Sequence, residues 1–89
     1  MIRRPVVICN KLGLHARAAA RFVTLASRFD SHIELARGEQ RVNGKSIMGV
    51  MMLAAGLGVQ LEISAEGADA AQAAAALAEL VEGCFGEAE

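Results

Sequence analysis

The 89-residue chain has no tryptophan and no tyrosine, and only 3% of its residues are aromatic. Its three phenylalanines are Phe22, Phe29 and Phe85, so alanine, leucine, valine and isoleucine must fill most of any hydrophobic core. None of the strands predicted below contains an aromatic side chain on which a base could stack. This absence argues against an RNA-binding α/β sandwich.

Long apolar runs are also absent. Gly56 and Gly58 interrupt the longest one, which is too short to cross a bilayer. The apolar run that follows Arg4 ends at Asn10, too early for a secretory signal peptide. We therefore expect one cytoplasmic domain over residues 1–89, with no direct membrane insertion.

Cysteine is scarce, and the two residues, Cys9 and Cys84, match no metal-binding or redox spacing. They could form a disulfide, but a chain without an export signal favours two buried thiols. The sequence indicates no metal site and no cofactor.

Basic residues are missing from residues 46–89, where seven acids give a charge of −7. All nine lysines and arginines lie in residues 1–45 against three acids, a charge of +6. The two halves together carry the net charge of −1. This separation predicts a local positive face for an acidic partner, rather than a nucleic-acid binder.

Alternation and turn residues predict the strands. Residues 59–66 alternate apolar and polar side chains, which is typical of a half-buried strand in an antiparallel sheet. Residues 5–9, with a proline at the start, 33–36 and 41–42 read as shorter strands, with a tight turn at 37–40.

Helical periodicity appears in residues 16–28, 47–55 and 70–84. Ser46 and Asp69 are the predicted N-caps of the second and third helices. The element order is then βαββαβα. Helices on one face of an antiparallel sheet, an α+β open-faced sandwich, is the natural two-layer arrangement. One polar stripe on the first helix comprises Arg17, Arg21, Thr24 and Arg28.

The first predicted helix begins without a usual N-cap, because no Ser, Thr, Asp or Asn directly precedes Ala16. The backbone N–H groups of Ala16, Arg17 and Ala18 then lack a side-chain partner. Open N–H groups at the positive end of a helix dipole form an anion site. Gly13 lets the backbone turn sharply and approach a ligand.

His15 stands at this helix terminus with Arg17 beside it. The dipole and the guanidinium favour the neutral, nucleophilic imidazole, and both would stabilise a phosphoryl group on it. Arg21, one turn on, extends the positive field toward an acidic partner. We predict that His15 is a phosphoryl acceptor, with a solvated cap residue as the alternative. His32 has none of these features and reads as an ordinary residue at a strand start.

The second predicted helix contains no polar side chain, unlike a typical surface helix. Core packing accounts for Val50, Met51 and Leu53. Ile47 and Met48, in the first turn, are candidates for exposed partner contacts. Met51 is a further candidate, because methionine suits surfaces that meet several partners.

Ser46 has two interpretations. A serine before a helix is most often only an N-cap. A phosphate there would suit the helix N-terminus and would place negative charge beside the docking surface. Ser46 is therefore also a candidate regulatory phosphorylation site.

Residues 13–20, Gly-Leu-His-Ala-Arg-Ala-Ala-Ala, resemble the phosphohistidine signature of the HPr family. Residues 45–51, Lys-Ser-Ile-Met-Gly-Val-Met, resemble the family's second signature, around its regulatory serine. The spacing between the two also matches, and the resemblance runs nearly end to end. It implies a four-stranded antiparallel sheet with three helices on one face.

The resemblance implies a phosphocarrier of the phosphoenolpyruvate-dependent phosphotransferase system. Enzyme I would charge Nδ1 of His15, Arg17 would bind the phosphate, and an enzyme IIA-type protein would receive it on a histidine. HPr kinase/phosphorylase would modify Ser46 with ATP as donor. Ile47 and Met48, together with the first helix, would contact the partner proteins. Partners would supply most of the catalysis, so we expect a monomeric phosphocarrier rather than a self-contained enzyme.

Two departures and two alternatives accompany this resemblance. Ala16 stands where many members carry Ser or Thr, and Ala18 replaces a common proline. Residues 82–87 resemble NPr, the nitrogen-branch relative, so regulation through a IIA-type protein stands beside sugar transport. A non-catalytic binding module with the same fold is the main rival, and the presence of His15 and Arg17 argues against it.

Overall fold

A computed structural model describes residues 1–87 of the chain. The elements run in the predicted order βαββαβα, followed by a short 3₁₀ turn, Cys84–Gly86. The strands are β1 (Ile2–Val7), β2 (His32–Arg37), β3 (Gln40–Asn43) and β4 (Gln60–Glu66). The helices are α1 (Ala16–Ala26), α2 (Ile47–Met52) and α3 (Ala70–Glu82). Within this described part of the chain, no helix is both long enough and apolar enough to cross a membrane.

The four strands form one antiparallel sheet in the order β1-β4-β2-β3. The helices pack on one face of it, which confirms the α+β open-faced sandwich. Pro5 lies inside β1 opposite Glu62 rather than at the strand start. The sheet accepts it there because β1 is an edge strand, where a missing N–H donor is tolerated.

Alternation in β4 was predicted correctly for the core face, where Leu61, Ile63 and Ala65 are buried. It was wrong for Ser64 on the opposite face, which is only 3% exposed. The Arg41 guanidinium reaches over from β3, with its Nη1 3.4 Å from the Ser64 hydroxyl oxygen. A long side chain therefore covers a position that the alternation alone assigns to solvent.

The helices end earlier than their apolar periodicity predicted, at residues 26, 52 and 82 rather than 28, 55 and 84. Distant side chains bind the freed carbonyl groups. Lys45 Nζ donates to the Phe29 carbonyl oxygen at 2.7 Å. Arg37 Nη1 donates to the carbonyls of Leu53 and Ala54, each at 3.0 Å. Such contacts stabilise helix C-termini without leaving a local sequence signal.

The two predicted N-cap residues use their side chains differently. Ser46 is the N-cap of α2, and its hydroxyl accepts the Gly49 N–H at 3.1 Å. Asp69 occupies the N-cap position of α3 as predicted, but its side chain makes no cap bond to its own helix. Its carboxylate instead accepts the backbone N–H groups of Asp30 and Ser31, each at 2.9 Å, and the Ser31 hydroxyl. These donors, led by the Ser31 hydroxyl, hold the pKa of Asp69 below its ordinary value.

The prediction of two buried thiols was also wrong, because Cys9 and Cys84 form a disulfide. Cys9 lies two residues beyond β1, and Cys84 follows the end of α3. Because α3 packs along β1, the Cα atoms of the two cysteines lie 5.2 Å apart although 75 residues separate them in sequence. This proximity comes from tertiary packing, which the spacing of two cysteines does not encode.

Candidate functional site

Helix α1 begins with an open N-terminus. His15 is the N-cap residue in extended conformation (φ −71°, ψ 176°), and its side chain makes no cap bond. The first turn contains no acidic residue. Across residues 1–87, no protein acceptor binds the N–H groups of Ala16, Arg17 and Ala18. The structure therefore brings together His15 and the three amides that the sequence assigned to an anion site.

Gly13 fixes the approach to this helix. Its φ of +66° is the left-handed conformation, and a Cβ there would lie 2.5 Å from the Ala55 carbonyl oxygen. The next residue, Leu14, is buried and donates its N–H to that same oxygen at 2.9 Å. The loop that carries His15 is thus hydrogen-bonded to the loop that follows α2.

The His15 ring lies at the surface, with 27% of its side chain exposed. Its Nε2 is 2.5 Å from Oε2 of Glu87. An ionised carboxylate only accepts hydrogen bonds, so Nε2 carries the proton. In the neutral ring Nδ1 then holds the lone pair, and it has no hydrogen-bonding partner in the described part of the chain. The tautomer leaves a nucleophilic nitrogen available.

Glu87 is held against His15 by a buried amide. Asn10 is fully buried, and its Nδ2 donates both to Glu87 Oε1 at 3.0 Å and to the Gly13 carbonyl at 2.8 Å. The Asn10 bond, followed by that of His15, holds the pKa of Glu87 below its ordinary value, against an opposing effect of desolvation. Glu87 is therefore ionised at neutral pH. Nothing in the local sequence pattern pointed to Asn10 or Glu87 as site residues.

A shallow depression surrounds His15, and its charged lining is mostly basic. The charged residues that line it are Lys11, Arg17, Arg21 and Glu87. The Arg17 side chain is exposed and makes no hydrogen bond or ion pair to any residue that the structure describes. Arg21 is exposed but donates to the carbonyl oxygen of Phe85, so it also holds the C-terminal segment, residues 83–87. The depression can receive a dianion between a guanidinium and open amides.

Helix α2, which packs against α1, presents an apolar surface. Val50 and Leu53 are buried as predicted, whereas Met51 is 39% exposed, so its assignment to the core was wrong. The exposed side chains of α2 are Ile47, Met48, Met51 and Met52. Leu12, in the loop before His15, is 68% exposed and was missed, because a lone apolar residue in a polar loop carries no pattern. Leu12 lines the His15 depression together with Arg17 and Arg21 of α1.

His32 begins β2, is exposed, and pairs with Glu34 at 3.1 Å, as expected of an ordinary strand residue. No cluster of three or more His, Cys, Asp or Glu side chains suited to a metal occurs in residues 1–87.

Comparison with known proteins identifies the family. Residues 2–83 match the family described as PTS HPr component phosphorylation site. The chain belongs to the HPr family. HPr-family relatives include the phosphocarrier protein HPr of Neisseria meningitidis serogroup A, which is 51% identical over 89 residues, 100% of each chain. The phosphocarrier protein NPr of Shewanella violacea is 44% identical over 87 residues, 98% of this chain and 96% of the relative.

Solved HPr structures share the fold. The crystal structure of HPr-C-His from Thermoanaerobacter tengcongensis superposes with a TM-score of 0.96 at 46% identity, covering 100% of both chains. HPr from Bacillus anthracis gives a TM-score of 0.86 at 45% identity, covering 90% of this chain and 95% of that one. The chain is therefore a member of a family of phosphocarriers of the phosphotransferase system, with the family's fold.

Proposed function

We propose that this chain accepts a phosphoryl group on Nδ1 of His15 from enzyme I and passes it to a histidine of an enzyme IIA-type protein. One observation carries the proposal: a ring nitrogen with a free lone pair beside the open amides of residues 16–18 and the guanidinium of Arg17. The depression is exposed, so a partner's phosphohistidine can reach the ring.

The transfer balances without any group beyond the two proteins. The N–P bond of the donor phosphohistidine breaks as the Nδ1–P bond of His15 forms, and the Nε2 proton stays in its hydrogen bond to Glu87. The amides of residues 16–18 and Arg17 meet the phosphoryl oxygens. The onward step reverses these roles. Partner proteins supply the remaining catalytic groups, so the chain is a covalent intermediate rather than a free-standing enzyme, and it acts as a cytoplasmic monomer.

The test is intact-mass analysis after mixing the protein with enzyme I and phosphoenolpyruvate. We expect the wild type to gain the mass of one acid-labile phosphoryl group and His15→Ala to gain none. His32→Ala is the matched control, because it removes an exposed histidine remote from α1, and it should charge normally. Arg17→Ala should charge about a hundredfold more slowly, the effect typical of losing one electrostatic donor. Acid-labile phosphate retained on His15→Ala would show that another residue is the nucleophile.

We also propose that Arg21, Ile47, Met48 and Met51 contact the partner proteins and that Ser46 regulates this docking. Ile47 and Met48 follow Ser46 directly and are 43% and 75% exposed. A phosphate on Ser46, placed by HPr kinase/phosphorylase with ATP as donor, would add negative charge at the edge of this surface and repel an acidic partner.

Replacing Ser46 by aspartate tests this regulation. Asp and Asn both cap helices well, so Ser46→Asp and the neutral control Ser46→Asn should both keep α2 intact by circular dichroism. Calorimetric titration should show weaker enzyme I binding for Ser46→Asp alone, by about tenfold, the size of an unfavourable interfacial charge contact. Equal dissociation constants for the two variants would remove the regulatory role.

The similarity to NPr favours a second candidate, regulation through a nitrogen-branch IIA-type protein instead of sugar transport. The two candidate functions are distinguished by mixing the phosphorylated protein with a sugar-type and with a nitrogen-type IIA protein. The acceptor that is phosphorylated faster identifies the branch.

A further inference from the structure

We propose that the Cys9–Cys84 disulfide is a redox-active site that controls how firmly the C-terminal segment covers His15, and that dithiol reductants open it. Its effect on phosphoryl transfer rests on the proposed function, whereas its effect on access to the His15 ring does not. The site lies outside the phosphoryl-acceptor depression and uses two groups that transfer itself does not use.

The disulfide joins the two parts of the chain that hold the His15 ring. Cys9 directly precedes Asn10, whose amide binds both the Gly13 carbonyl and Glu87. Cys84 lies three residues before Glu87, whose other carboxylate oxygen binds His15 Nε2. The covalent bond therefore closes a ring of contacts that runs from Cys9 through Asn10 and Glu87 back to Cys84.

The C-terminal segment has an unfavourable backbone, which the cross-link helps to hold. Cys84 and Phe85 are consecutive left-handed residues, with φ of 57° and 55°, a conformation that side-chain-bearing residues rarely adopt. Phe85 is buried, and its carbonyl accepts a bond from Arg21. Phe85 thus anchors the segment when the disulfide is absent, so reduction should loosen the cover over His15 without unfolding the domain.

Both cysteines are partly exposed, so a thiolate can reach a sulfur. One thiolate of a dithiol attacks the disulfide and forms a mixed disulfide, and its second thiolate then releases the protein. Two electrons and two protons pass from the dithiol, which leaves as a disulfide, to Cys9 and Cys84, which become thiols. Glutathione disulfide reverses the reaction. Intracellular disulfides are most often transient or redox-sensing, which suits a pair that both forms and opens.

The experiment uses the intact protein in two forms, oxidised with glutathione disulfide or reduced with dithiothreitol, and confirmed by mass after thiol alkylation. The probe is diethyl pyrocarbonate, and peptide mapping gives the modification rate of each histidine. We expect His15 to react about threefold faster in the reduced form, the effect of a modest increase in local opening. His32 is the internal control, because its side chain is 62% exposed at the start of β2, and its rate should not change.

The variants Cys9→Ser and Cys84→Ser should both show the fast rate under either condition. Either variant suffices, and the reduced wild type provides the same test if neither folds. Failure of glutathione disulfide to form the bond, or equal His15 rates in the two forms, would overturn the proposal.

Charging by enzyme I is measured on the same samples and should be slower for the oxidised form. Absence of charging in both forms, with the redox effect on diethyl pyrocarbonate intact, would reject the proposed function and retain the redox site. Equal, rapid charging of both forms would overturn the proposed control of transfer.

Discussion

The N-termini of α1 and α2 differ in how their open amides are used. At α1, His15 makes no side-chain cap bond, and the amides of the first turn remain open. At α2, the Ser46 hydroxyl binds the Gly49 N–H. An uncapped terminus can receive an anion at once. At the terminus of α2, where the serine already binds an amide, an anion would enter only as the phosphate of the proposed Ser46 modification.

The approach to each helix differs as well. The chain reaches α1 through Gly13, whose backbone lies against the Ala55 carbonyl. It reaches α2 through a self-contained turn, in which the Asn43 side chain accepts the Lys45 N–H at 2.9 Å and the Asn43 carbonyl accepts the Ser46 N–H at 3.1 Å. The geometry of α1 thus depends on a distant loop, while that of α2 is built locally.

Among the variants that test this difference between the two helix approaches, Gly13→Ala should have the largest effect on the free energy of unfolding. The new Cβ would lie 2.5 Å from the Ala55 carbonyl oxygen, and the residue would keep a left-handed φ. We expect a loss of about 3 kcal/mol in the free energy of unfolding, from backbone strain and displacement of the loop. Urea denaturation measures it.

Gly38→Ala is the control for this change. Gly38 has a similar φ of +59°, but a Cβ added there would meet no neighbouring atom within 4 Å. The variant should lose only about 1 kcal/mol, the conformational part of the effect. Equal losses in the two variants would show that the Gly13–Ala55 approach has no energetic role.

A smaller effect is expected from Ser46→Ala, which removes the side-chain cap of α2. The free energy of unfolding should fall by about 1 kcal/mol, the usual value for an N-cap, as measured by thermal or urea denaturation.

Asp69→Ala tests an N-cap residue whose side chain binds elsewhere, because the Asp69 carboxylate accepts the N–H groups of Asp30 and Ser31 and none from its own helix. Its loss should appear as faster amide exchange at residues 30 and 31 and not in the first turn of α3.

The smallest effect is the pH dependence of the Glu87 contact. Donation from Asn10 and His15 holds the pKa of Glu87 below its ordinary value of 4.5. A lowered pKa in the folded state means that the stabilisation is complete above the ordinary value and is lost as the pH falls through the folded value. The difference in unfolding free energy between wild type and Glu87→Gln should therefore shrink on acidification from about pH 6 to pH 3. A difference that stays constant with pH would show that Glu87 acts without its charge.

Local pattern predicted the element order, the sheet and the open terminus of α1, because periodicity and the absence of a cap residue are properties of neighbouring positions. The helix ends could not be predicted from the local sequence, because Lys45 and Arg37 bind helix-terminal carbonyls that are distant from them in sequence. The Glu87 contact with His15 spans 72 residues and the disulfide spans 75. Both depend on α3 lying along β1, which brings the end of the chain to the site only after the core has packed.

The bond between the Leu14 N–H and the Ala55 carbonyl has a consequence for molecular recognition. It joins the loop before α1 to the loop after α2, so the His15 ring and the apolar side chains of α2 keep a constant separation. If a partner binds Ile47 and Met48 as proposed, this link presents Nδ1 of His15 to it at a set distance and angle. Under the proposed function, substitutions in α2 would then change which partners bind while leaving the approach of the phosphoryl group to His15 unchanged.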